Sequence, residues 1–148
     1  RDSVASRGLG DVYKRQDLVT IGPGSWFSSV IPHLLVPQVC DALNETEAKV
    51  VVVLNLSPEA GETHGFTTER HIHVFAQHAP NLRVDCFLAD SDMVTTHGER
   101  ENVRRAAERL GADVEYRSLR VEGDDGVKRN LHDPLKLAAA LKDLSTSS

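Results

Sequence analysis

Residues 49 to 55 read KVVVVLN, and this stretch decides the fold. Four consecutive valines and a leucine show no alternation of apolar and polar side chains. A strand covered on one face alternates and a strand covered on both does not, so Lys49 to Asn55 predicts a central parallel strand. Working outward, Leu18 to Ile21 predicts a first strand, Leu82 to Leu88 a third, and Val114 to Tyr116, extending toward Val121, a fourth. The segments between them carry helical spacing. Ser25 to Leu35 and Pro37 to Leu43 read as helical, divided by Pro32 and Pro37, which lack an amide donor. Thr67 or Thr68 is placed to cap a helix running to Gln77, with Ile72, Phe75 and Ala76 inward. Glu99 to Leu110 turns Val103, Ala106, Ala107 and Leu110 to one side and closes at Gly111. Asp133-Pro134 opens a last helix with Leu137, Ala138, Leu141 and Leu144 inward. Strands alternating with helices in this way predict the α/β class with a mostly parallel sheet. No internal repeat is present, and Glu122 to Gly126 reads as a solvated connection.

The chain has 148 residues, 40% of them hydrophobic, which suits one domain with a real core. Its first sixteen residues show neither a helical stripe nor strand alternation, and they are similar to translated sequencing adaptor. They are expected to lie outside the native domain, which then runs from 17 to 144 with a frayed tail at 145–148. The net charge is −5. The first sixteen residues hold four basic and two acidic side chains, so the remainder is more acidic still. No cluster of Lys and Arg with interleaved aromatics occurs, which argues against a nucleic-acid partner. Cys40 and Cys86 both sit in apolar periodic segments and read as two reduced core thiols, not as a disulfide framework or a zinc site. The longest apolar run, Val50 to Leu54, is far short of the roughly 20 residues of a membrane helix. No membrane span is expected, and the expected location is cytoplasmic.

Two loops carry the candidate chemistry. The first, in DLVTIGPGSWFSS, sets Gly22, Pro23 and Gly24 directly after a strand and follows them with Ser25, Ser28 and Ser29. Ligands bind at such strand ends in open α/β sheets. Glycine lets the backbone approach a phosphate, and helix-start amides and hydroxyls donate to the anion. The same spacing also fits a plain strand-to-helix turn, being neither GxGxxG nor a Walker loop. The second loop, NLSPEAGETHG from Asn55 to Gly65, is long and polar and leaves the most buried strand. Asn55, Glu62 and Thr63 are its candidate ligand contacts. Glu62 suits a ribose or sugar hydroxyl, or a metal held with phosphate oxygens, or simply the loop's own amides. His64, His71, His73 and His78 do not form HExxH, and no metal site is assigned to them. Ser25 lacks the GxSxG elbow and a partnered base, so no catalytic residue is assigned. Trp26 and Phe27 suit a stacked base or, more simply, the core.

Taken together, DLVTIGPGSWFSSVIPHLLVP and NLSPEAGETHGFTTERHI resemble the gluconeogenesis-factor (YvcK/CofD-like) family, in an actinobacterial-like form. The points of agreement are Gly22, Pro23, Gly24, Ser25, Ser29, Pro32, Pro37, Asn55, Gly61, Glu62, Thr63, Gly65 and His71, with looser agreement to LHDPLKLAAAL. The resemblance implies a Rossmann-like three-layer sandwich, of which this chain would be the incomplete C-terminal half. It also implies a UDP-sugar as ligand and a regulatory role in carbon metabolism, cell-wall supply and cell shape. An assembly of identical copies is compatible with it. The family's enzymatic relatives are the 2-phospho-lactate transferases of coenzyme F420 synthesis, whose glycine loop more often reads GPSNP. GPGSW here favours the regulatory branch, for which the resemblance implies no particular reaction and assigns no cofactor beyond the UDP-sugar ligand. A divalent metal belongs only to the transferase alternative.

Overall fold

Valines 50 to 53 are each at most 2% exposed, and they form the second strand of the sheet rather than its rim. The computed structural model describes residues 18–23, 36–56 and 64–146. In it, β1 (Leu18–Ile21), β2 (Lys49–Val53), β3 (Cys86–Asp90) and β4 (Asp113–Arg117) form a parallel sheet in the order β1-β2-β3-β4. Ile21 lies beside Val52, Val52 beside Phe87, and Phe87 beside Val114. Strand order follows chain order, and right-handed crossovers then place the described connecting helices on one face.

That face carries α1 (Pro37–Glu45), α2 (His64–His78) and α3 (His97–Glu108). Leu43, Ile72, Phe75, Val103, Ala106 and Ala107 pack there against Val52, Phe87 and Ala89. Phe75 and Phe87 meet edge to face with ring centroids 5.7 Å apart. Val51, Val53, Cys86 and Leu88 point to the opposite face. They meet Leu137, Ala140, Leu141 and Leu144 of α4 (Pro134–Thr146). The result is the expected three-layer, Rossmann-like α/β arrangement. Before α4, the strands β5 (Arg120–Glu122) and β6 (Lys128–His132) pair as an antiparallel hairpin.

Several boundaries differ from expectation for identifiable reasons. Helix α2 begins at His64, so Thr67 and Thr68 lie inside it, 3% and 5% exposed, instead of capping it. Its inward stripe is Thr68, His71, Ile72 and Phe75, while Ala76 is half-buried. Residues 82–85 are not part of the strand, although Asp85 N–H bonds to the Val50 carbonyl at 2.9 Å, and β3 runs from Cys86 to Asp90 instead. Leu82 and Val84 are buried there without being strand residues. Helix α3 starts at His97, where the Thr96 hydroxyl accepts the Glu99 N–H at 3.1 Å. It ends at Glu108, two residues before the expected Leu110, and Gly111, at φ 71, follows the closing turn as expected, where Ala112 N–H returns to the Ala107 carbonyl. In α4 the buried spacing is Leu137, Ala140, Leu141, Leu144, and Ala138 is exposed. That helix continues through Ser145 and Thr146, whose hydroxyls bond back to the Lys142 and Asp143 carbonyls. Cys86 is buried as expected, whereas Cys40 is only half-buried. The expected helix from Ser25 to Leu35 lies outside the described residues.

Because Phe87 sits at the centre of the helix-covered face, Phe87→Ala should cost about 3–5 kcal/mol of unfolding free energy. Urea denaturation should show a lower midpoint with an unchanged slope.

Candidate functional site

The carboxyl ends of β1, β2 and β3 lie along one edge of the sheet, and the first two lead into the two sequence-predicted loops. Gly22, at φ 79, turns the chain out of β1, a conformation that side chains with a Cβ rarely adopt. Pro23 follows it and is exposed. Asn55 is half-buried just beyond Leu54, whose N–H still pairs with the Leu88 carbonyl at 2.9 Å. Since Ile21 pairs with Val52, the glycine turn and Asn55 leave neighbouring strands on the same side. Gly24, Ser25, Ser28 and Ser29 of the first loop lie outside the described residues, as do Glu62 and Thr63 of the second. The chain returns in α2, whose early residues Thr67, Thr68 and His71 are buried polar groups behind this edge.

The remainder of the edge is built by residues that the sequence alone did not single out. Asp90 ends β3 with a side chain that has no solvent exposure. Its Oδ1 accepts the Leu119 N–H at 2.8 Å and its Oδ2 accepts the Asp92 N–H at 3.0 Å. The Arg120 guanidinium lies 3.3 Å from Oδ2, an ion pair without the alignment of a hydrogen bond. Arg120 also reaches Asp92 at 3.4 Å, and Lys128 donates to the same carboxylate at 2.5 Å. The Lys128 hydrogen bond holds the Asp92 carboxyl below its usual range and raises the Lys128 ammonium in turn. Through these contacts the β5–β6 hairpin folds back over the ends of the central strands.

His132, the last residue of β6, also reaches this edge. Burial lowers its pKa below the usual 6.5, opposed by the nearby Asp90 carboxylate and a hydrogen bond to the Leu54 backbone. Its Nε2 is buried and has no hydrogen-bond partner within the described residues. Burial thus disfavours the charged imidazole near the end of β2.

These residues escaped notice for a simple reason. Lys128 to His132 contains one apolar residue, Leu131, and that one is 65% exposed, so no periodic signal marks β6. The available signal was the position of Asp90 and Asp92, immediately after a buried strand in FLADSD. Of the histidines on α2, His71 is buried, His73 pairs with Glu69 at 3.4 Å, and the His78 ring bonds to the Val74 carbonyl. Cys86 offers no nucleophile. Burial above all, with the Glu115 and Asp113 carboxylates adding to it, pushes its thiol up to about 12.

The arrangement has one clear electrostatic character. Among the described residues, Arg120 and Lys128 at this edge are each engaged by a carboxylate, so neither stands there as a free cation.

Residues 3–131 match the sequence profile described as 2-phospho-L-lactate transferase CofD. The chain belongs to the CofD family. Within it, relatives that carry the name gluconeogenesis factor include a protein of Mycobacterium tuberculosis, 48% identical over 140 residues. That alignment covers 95% of this chain and 40% of the relative. A protein of the same name from Mycobacterium leprae is also 48% identical, and one from Lactococcus lactis is 30% identical over 128 residues. The chain therefore spans about two fifths of the length of these CofD-family relatives. The crystal structure of a UPF0052-family protein from Bacillus halodurans superposes with a TM-score of 0.62 at 27% identity. It covers 92% of this chain and 46% of that one.

Replacing Asp90 by alanine leaves the Leu119 amide and the Arg120 guanidinium without their buried acceptor. The expected loss is about 3 kcal/mol or more, with faster amide exchange at Leu119 and Asp92. His132 gives a pH dependence of definite sign. Its folded pKa is below the unfolded one, so its contribution is complete above about pH 6.5 and declines as pH falls through the folded value. Unfolding free energy measured between pH 7 and 5 should fall, and His132→Gln should flatten that slope.

Proposed function

We propose that the chain forms part of a nucleotide-sugar-binding regulatory protein of the cytoplasm, with a UDP-sugar as its ligand. Its role is the adjustment of carbon metabolism and cell-wall supply, and through them cell shape. One observation carries this reading: the turn at Gly22 and the loop beginning at Asn55 leave adjacent parallel strands at the carboxyl edge. Open α/β sheets take their ligands at that edge. The diphosphate is assigned to Gly22, Gly24, Ser25, Ser28 and Ser29, and the sugar or ribose side to Asn55, Glu62 and Thr63. The names of the mycobacterial and lactococcal relatives support the regulatory branch.

A second reading rests on the description of the matching family profile, that of a 2-phospho-L-lactate transferase. In that case the same loops would hold a nucleotide diphosphate, with a divalent metal offsetting its charge.

Calorimetry on the intact protein separates the two. UDP-N-acetylglucosamine or UDP-glucose should give saturable heat without added metal, and Gly24→Val should weaken binding roughly tenfold or more by placing a side chain where the phosphate approaches. No saturable heat with either ligand, or unchanged binding by Gly24→Val, overturns the assignment. Metal-dependent transfer to a deazaflavin acceptor would establish the transferase instead.

A further inference from the structure

We infer that the β5–β6 hairpin is a strap across the carboxyl edge of the sheet, fixed at its foot and released at its tip when Lys128 leaves Asp92.

The foot is held from several sides. Leu119 has no solvent exposure and belongs to the apolar cluster of Val51, Val53 and Leu88. Its N–H donates to Asp90, and its C=O accepts from Asp133 N–H at 2.7 Å. The Lys136 ammonium donates to the Arg120 carbonyl at 2.8 Å and so ties the start of β5 to α4.

The tip is held differently. Among the described residues, the hydrogen bonds of 121–131 stay inside the hairpin, with one exception. Gly123 N–H donates to the Val127 carbonyl at 3.0 Å, and Gly126 N–H to the Gly123 carbonyl at 2.9 Å. Arg129 bonds to the Val127 carbonyl at 3.1 Å and to Asp125 at 3.2 Å. The exception is Lys128, whose ammonium reaches Asp92 at 2.5 Å, just beyond the end of β3. Apolar packing does not add to this hold. Val127 is 53% and Leu131 65% exposed, and no residue of 121–131 belongs to either core cluster.

Lifting the tip therefore breaks one partly exposed ion pair and no backbone bond to the sheet, and such a pair is worth little against water. Closure also carries a cost. Arg120 Nε and His132 Nε2 are buried beneath the hairpin without a hydrogen-bond partner among the described residues, and water gains access to them as the strap lifts. The post that receives the latch is firmer than the strap. Asp90 holds the Asp92 N–H at 3.0 Å, and Met93 and Val94 are buried next to it. A strap of this kind is placed to cover a ligand at the carboxyl edge. That gating role rests on the nucleotide-sugar reading above, whereas the opening itself does not.

Amide hydrogen exchange, read by mass spectrometry on the intact protein, tests the opening with no ligand present. A two-stranded hairpin lifted from its support is marginal in water, so the ladder amides of β5 and β6 exchange whenever the strap opens. Asp92 also meets Arg120 at the foot, so the cleaner variant is Lys128→Met, which keeps the stem of the side chain. It should speed exchange in 121–131 about three- to fivefold and leave Leu119, Asp133, β2 and β3 unchanged. Added salt should speed the wild-type strap in the same way and the variant little. UDP-N-acetylglucosamine should slow exchange in 121–131. Ladder amides that respond to neither Lys128→Met nor salt overturn the inference, as does a variant in which Leu119 speeds up equally. A strap that opens as expected in a protein that binds no nucleotide sugar by calorimetry overturns the ligand reading and supports the strap. A ligand that binds and leaves exchange in 121–131 unchanged overturns the gating role.

Discussion

Burial of β2 on both faces is the constraint from which the other elements follow. Val50 to Val53 have no solvent-facing side, so the sheet needs a layer above and a layer below. The crossovers cannot supply both. Strand order β1-β2-β3-β4 with right-handed connections places α1, α2 and α3 on one face, leaving Val51, Val53, Cys86 and Leu88 uncovered on the other. Helix α4 fills that requirement with Leu137, Ala140, Leu141 and Leu144. To reach it from the end of β4, the chain must pass around the carboxyl edge of the sheet, and the β5–β6 hairpin is that passage.

The core and the candidate site are therefore mechanically linked. The hairpin that delivers α4 to the second face is also the structure that walls the edge to which the proposed ligand is assigned. Asp90 is the joint between the two roles, since its carboxylate holds the Leu119 amide, the Asp92 amide and the Arg120 guanidinium together. A carboxylate with no solvent exposure is tolerated there because each oxygen accepts an amide hydrogen bond and a guanidinium offsets its charge. Burial of His132 beside it disfavours a further positive charge there.

How much of this was legible in the sequence depends on whether a residue's position is set by periodic burial. The KVVVVLN run, the Val103–Ala106–Ala107 stripe and Gly111 were readable because apolar spacing and a left-handed turn leave local marks. Thr67, Thr68 and His71 were harder. Polar residues buried inside a helix look, in one dimension, like a cap or a surface. Leu82 and Val84 mimic strand alternation while making no ladder. The hairpin was invisible because β6 buries almost nothing apolar and is held by Arg120, Lys128 and His132 through contacts with residues many positions away. The same division applies to the site. Gly22 and Asn55 were found from their place after strands, whereas Asp90, Asp92 and His132 depend on tertiary pairing that spacing does not encode.

The electrostatics of the edge bear on what kind of ligand it can hold. A phosphate site built from free lysines and arginines attracts any polyanion and weakens steeply with salt. Here Arg120 and Lys128 are engaged by Asp90 and Asp92, and the chain as a whole is acidic. On the proposed reading, an anionic ligand at the edge would gain little from net charge and would be recognised through directed hydrogen bonds from backbone amides and hydroxyls. Such donors act at short range and demand a fixed ligand geometry. That combination suits a single small phosphorylated metabolite read by shape and disfavours a phosphodiester backbone tracked by charge. It also accounts for the value of glycine at the end of β1. Where affinity comes from amides rather than cations, the backbone must come within hydrogen-bonding distance of the ligand, and on the proposed reading a side chain in the glycine loop would hold it away.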